Sequence, residues 1–137
     1  TVTIANYNSH QQNVVSGPKN DIARAQSVFN ALPGITFIPL KVSGAFHSPY
    51  LLTAQQAFSD YIQPLHFSTP KVPVIANVTA TPYHPIAMKT YLTNQITHPV
   101  QWTKTITYLQ TKPGICFKEI GPGNVLTNLV QRIYNQQ

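Results

Sequence analysis

Ser43-Gly44-Ala45-Phe46-His47-Ser48-Pro49 separates two stretches of different pattern, and the fold follows from how its flanks are read. Before it, Ile35–Val42 is rich in β-branched and aromatic residues and reads as a strand. After it, Leu51, Ala54, Phe58, Tyr61, Ile62 and Leu65 recur at helical spacing, with Pro64 ending the run. The loop itself carries the residue with the most chemical potential. His47 sits between a flexible Gly44 and a helix-opening Pro49, a placement that can hold an imidazole at the mouth of a cleft. The alternative is a loop histidine that only hydrogen-bonds a neighbouring carbonyl.

Working toward the N-terminus, residues 2–6 and 12–16 read as two short strands around the polar turn Tyr7-Asn8-Ser9-His10. Ser16-Gly17-Pro18 starts a helix that runs to about Ala31, with Ser16 as its cap, and Pro33-Gly34 stops it. The order to residue 42 is β-β-α-β, a small sheet-plus-helix unit lacking its first elements. Working toward the C-terminus, Val72–Val78 reads as a strand. Pro85 and Pro99 each set a helix, Ile115–Ile120 reads as a further strand, and Gly121-Pro122-Gly123 turns into a last helix through Ile133. Strand–helix alternation predicts parallel strands joined by crossovers, an α/β class.

Composition removes several functions. Nine Lys and Arg face three Asp and Glu, a net charge of +6, and only 9% of the 137 residues are charged. The nine basic residues are scattered without a basic helix face, so no nucleic-acid surface is expected. No apolar run approaches the roughly 18 residues of a membrane span. Asp21, Asp60 and Glu119 are the whole carboxylate supply, and His10, His47, His66, His84 and His98 show no metal-ligand spacing. A carboxylate-pair hydrolase, a calcium or magnesium site and a zinc site are therefore disfavoured, and no metal or cofactor is expected. Single Cys116, in an apolar strand, reads as a small buried residue, and its isolation fits a reducing compartment. Trp102, Phe46, Tyr50, Phe58 and Phe117 read as core. Glu119-Ile120-Gly121-Pro122-Gly123 admits two readings: a helix N-terminus that receives an anion, or glycines that let a strand turn into a helix.

Five stretches together carry a family resemblance: Ile4-Ala5-Asn6-Tyr7-Asn8-Ser9; Val42-Ser43-Gly44-Ala45-Phe46-His47-Ser48; Val74-Ile75-Ala76-Asn77-Val78-Thr79-Ala80; Pro99-Val100-Gln101-Trp102; and Glu119-Ile120-Gly121-Pro122-Gly123 with Val125-Leu126. In this order, across essentially the whole chain, they resemble the malonyl-CoA:acyl-carrier-protein transacylase family, which includes the acyltransferases of polyketide and fatty acid synthases. The resemblance implies an α/β-hydrolase-like large subdomain with a ferredoxin-like small subdomain inserted in it. Residues 1–42 are then the later part of the small subdomain and residues 43–137 the C-terminal part of the large one.

It also implies transfer of a malonyl group from coenzyme A to the phosphopantetheine thiol of an acyl carrier protein through a serine acyl-enzyme, in the cytoplasm. On this reading His47 is the catalytic base. Phe46, Gln95 and Ser48 stand with it at the substrate site, a main-chain carbonyl near Gln95 orients the imidazole, and Phe46 favours malonyl by leaving little room for an α-methyl. Two alternatives stay open, an acyl hydrolase on the same scaffold and a non-catalytic docking domain. The chain has no Gly-x-Ser-x-Gly elbow, and neither Arg24 nor Arg132 lies in a motif suited to the malonyl carboxylate. It opens without Met, within a strand-like run. The expectation is a C-terminal half that is inactive without an N-terminal half as a further partner.

Overall fold

The computed structural model describes residues 1–135 and is mixed α/β. β1 (Thr3–Ser9) and β2 (Gln12–Ser16) form an antiparallel hairpin in which Thr3 faces Ser16 and Ser9 faces Gln12. Two irregularities, between Ile4 and Asn6 and between Tyr7 and Ser9, let the ladder absorb one extra residue each time. The strand therefore continues through Tyr7-Asn8-Ser9, and the expected four-residue turn shrinks to His10-Gln11. Five helices follow: α1 (Lys19–Asn30), α2 (Leu52–Ile62), α3 (Met88–Asn94), α4 (Trp102–Gln110) and α5 (Val125–Tyr134). Ser16 does not cap α1. It ends β2, and Pro18 stands at the cap position without a side-chain bond.

α4 and α5 close over β1. Ile106 and Leu129 with Ile133 bury one face of each helix, and Ala5 faces them from the strand. Full burial of an isoleucine contributes about 1.5–3 kcal/mol, so this small cluster anchors the hairpin. A parallel bridge joins Asn6 to Val100, with Tyr7 N–H donating to the Val100 carbonyl at 2.9 Å and Val100 N–H to that of Ala5 at 2.8 Å. The Thr103 hydroxyl adds a bond to the Tyr7 carbonyl at 3.0 Å. α2 packs on α3 beyond this cluster.

Three expected strands are not strands. Residues 35–42 and 115–120 are extended but pair with nothing among the described residues. Residues 74–83 instead fold back on themselves through a bridge from Ile75 to Pro82 and bonds Ala76 N–H to Thr81 carbonyl and Tyr83 N–H to Val74 carbonyl. The two-stranded hairpin is the only sheet among the described residues, so the parallel crossovers do not form. A strand exists only when a neighbour takes its N–H and C=O groups, and residues 36–42 and 115–120 find none among the described residues. Their apolar side chains are correspondingly open, with Ile38 72% and Ile120 92% exposed. Cys116, expected in a core, lies exposed on the same unpaired segment, and Phe46 and Tyr50 are also exposed.

The molecule shows 9626 Å² of accessible surface, against about 7,100 Å² for a compact protein of this mass. The excess is about three times the roughly 800 Å² that one partner buries in a standard protein interface. No helix among the described residues is long and apolar enough to cross a membrane. The expected boundary at 42/43 falls in the unpaired segment, and the last two residues of the 43–137 unit lie outside the described residues.

Candidate active site

The site begins with a strained turn. The Ser48 hydroxyl donates to the Ala45 carbonyl at 2.6 Å, closing a loop over the two residues between. Ser48 is fully buried, and Pro49 then opens a short 3-10 turn, Pro49–Leu51, that runs straight into α2. With both ends fixed, His47 takes φ of 55°, the left-handed region that costs a non-glycine residue about 1–3 kcal/mol. From there the half-buried imidazole reaches the turn that closes α3.

There it meets a main-chain oxygen. His47 Nδ1 lies 2.7 Å from the Gln95 carbonyl oxygen. Gln95 caps α3 at the C-terminal end, where the last carbonyls have no helical partner, so this oxygen is free for a side-chain donor. A carbonyl only accepts. The proton of the neutral ring is therefore on Nδ1, which leaves the Nε2 lone pair unshared and basic. A carbonyl fixes the tautomer as an aspartate would, without adding a charge.

His47 and Phe46 form one end of an open groove of about 1040 Å³. Its walls are the outer edge of β2 and the unpaired run Thr36–Val42, and Arg132 reaches it from α5, donating to the Gln12 side-chain oxygen. The imidazole thus opens on space rather than into packed core. Phe46 is exposed beside it, next to Gly44. Ser48 is buried, its hydroxyl is used within the turn, and it is not among the residues that line the groove. Gln95 reaches the site through its main chain.

Sequence pattern did not single out Gln55, Asn94 and Thr97, which bond to one another behind the Gln95 carbonyl. Polar residues at helical spacing look alike whether they face water or a neighbouring helix, so no signal marks them. The other candidate anion site is filled. The Glu119 carboxylate accepts from Leu126 N–H at 3.1 Å, Thr127 N–H at 2.9 Å and the Thr127 hydroxyl at 2.7 Å, occupying the N-terminus of α5 itself. Among the described residues no three His, Cys, Asp or Glu side chains gather into a group able to hold a metal ion.

No protein-family model matches the chain. Individual relatives do. It is 50% identical, over 99% of its length, to the polyketide biosynthesis malonyl CoA-acyl carrier protein transacylase BaeC of Bacillus velezensis, covering 47% of that protein. The crystal structure of the malonyl CoA-acyl carrier protein transacylase of Burkholderia pseudomallei superimposes with a TM-score of 0.93 at 40% identity, over 99% of this chain and 48% of that one. A malonyl-transacylase solved in complex with its type II polyketide synthase acyl-carrier protein matches with a TM-score of 0.91 at 32% identity, over 98% and 44%. The chain spans about half the length of the curated relatives it matches. By sequence and by fold, over that half, it belongs to the malonyl CoA-acyl carrier protein transacylase family.

Proposed function

We propose that this chain supplies the base-bearing part of a malonyl-CoA:acyl-carrier-protein acyltransferase, with His47 as the proton shuttle. The observation that carries the reading is the 2.7 Å approach of Nδ1 to the Gln95 carbonyl on a ring that faces an open groove. His47 Nε2 takes the proton of a serine hydroxyl as its oxygen bonds to the thioester carbon. When the tetrahedral adduct collapses, the carbon–sulfur bond breaks and the imidazolium returns the proton to the departing coenzyme A sulfur. The carrier's phosphopantetheine thiol then gives its proton to Nε2 and takes the malonyl group, and the serine recovers its hydrogen.

The serine is not in this sequence, which holds no Gly-x-Ser-x-Gly stretch. It comes from polypeptide corresponding to the rest of the relatives' length, and the acyl-enzyme forms only when the two act together. The excess surface and the unpaired segments 35–42 and 115–120 support this reading. In it, residues 1–42 are the later part of a ferredoxin-like subdomain and the residues from 43 onward part of an α/β-hydrolase-like one. Phe46 narrows the groove beside the base and favours malonyl. The net charge of +6 suits an acidic carrier protein and the phosphates of coenzyme A. The test is malonyl transfer to carrier protein by the enzyme assembled with the missing half. His47→Ala abolishes turnover if the reading is right, and unchanged turnover refutes it.

A further inference from the structure

The His47–Gln95 bond joins two elements, and its length depends on how they are held together. α2 follows His47 through the 3-10 turn, and Gln95 belongs to the turn that closes α3. Half-buried Gln55 on α2 bridges the two. Its Nε2 donates to Asn94 Oδ1 at 3.1 Å, and its Oε1 accepts from the Thr97 hydroxyl at 2.8 Å.

Both contacts fall on the residues that bracket Gln95. The Asn94 carbonyl accepts the main-chain N–H of Thr97 at 3.1 Å and that of His98 at 3.0 Å, so the peptide carrying the Gln95 oxygen lies inside a closed turn. Thr97 is buried, and with its hydrogen committed to Gln55 its oxygen accepts from His98 Nδ1 at 3.0 Å. His98 Nδ1 also lies 2.9 Å from the Asn94 carbonyl. A carbonyl 2.7 Å from Nδ1 leaves hydrogen-bonding range after about half an ångström of drift.

We propose that Gln55, acting through Asn94 and Thr97, is a positioning residue that holds the Gln95 carbonyl on His47 Nδ1 for acyl transfer. It touches neither substrate nor the reacting atoms. With the clamp released, the carbonyl no longer fixes the tautomer or stabilises the imidazolium formed as serine attacks, while the groove that binds coenzyme A is unaltered. The effect falls on the chemical step.

This rests on His47 being the base, and the experiment separates the two claims. In the enzyme assembled with the missing half, Gln55→Leu and Thr97→Val each lower kcat on the order of 10-fold, a part of the roughly 10²–10⁴-fold that general base catalysis supplies, and leave KM for malonyl-CoA unchanged. Thr97→Ser, which keeps the hydroxyl, restores kcat. The double variant is no slower than the slower single one, because one clamp is being cut twice. Thermal melting of each variant checks that the fold is kept.

A fall in kcat matched by a rise in KM, a Thr97→Ser enzyme as slow as Thr97→Val, or wild-type kcat in Gln55→Leu overturns the clamp. An inactive His47→Ala enzyme beside a fully active Gln55→Leu one refutes the clamp alone. Full turnover in His47→Ala refutes the base and the clamp together.

Discussion

At the scale of single residues the site rests on one backbone angle. His47 takes φ of 55° inside the turn that the Ser48–Ala45 bond closes, and from there its ring meets the Gln95 carbonyl. Glycine accepts this angle freely and alanine does not. His47→Gly and His47→Ala both lose the Nδ1 bond, yet the glycine variant melts at the higher temperature, by the equivalent of about 1 kcal/mol. Equal melting points would show the turn to be unstrained. On the proposed function, Phe46 is the residue that sets the selectivity. Phe46→Ala opens room beside the base and raises the methylmalonyl-to-malonyl ratio of kcat/KM by about 10- to 200-fold, the worth of one methyl group in a pocket. An unchanged ratio places the selectivity elsewhere. The position of His47 on a groove was legible because a chemically apt residue stood between a glycine and a proline. Its acceptor was not legible from pattern, since a main-chain carbonyl leaves no mark on side-chain identity, and only the family resemblance pointed to Gln95. Ser48 shows the same limit: nothing in the sequence says that its hydroxyl bonds back to Ala45.

At the scale of elements, α5 shows a helix capped from a distance. The left-handed angles of Gly121 and Gly123, φ of 143° and 88°, turn the chain so that Glu119 comes back onto Leu126 and Thr127. Hydrogen bonds from the Thr127 hydroxyl, then its N–H, then that of Leu126, hold the Glu119 carboxyl below the ordinary glutamate range. A lowered folded pKa means that the charged cap stabilises above the ordinary value and is lost as the pH falls through the lowered one. The melting point of the native chain therefore drops more steeply than that of Glu119→Gln below about pH 4.3. Parallel curves would exclude the cap. The helices were legible because their apolar spacing and prolines act locally, and α2, α4 and α5 begin within a few residues of the expected positions. Strands are not local. Ile35–Val42 and Ile115–Ile120 have strand composition, and composition cannot supply the neighbour that takes their hydrogen bonds. The hairpin of β1 and β2 formed because its partner is two residues away.

At the scale of the whole molecule, one small core holds β1, α4 and α5 together, while the open segment 36–42 borders a groove that also takes in the His47 imidazole. On the function proposed above, the serine that His47 would serve and the neighbours that segments 35–42 and 115–120 lack belong to the same polypeptide, so activity and compactness are expected to arrive together. The most direct test is malonyl transfer to carrier protein by the purified 137-residue chain, alone and then mixed or co-expressed with polypeptide corresponding to the remaining half of its relatives. The expected outcome is no acyl-carrier product from the chain alone and turnover on assembly. Product formed by the isolated chain would contradict it.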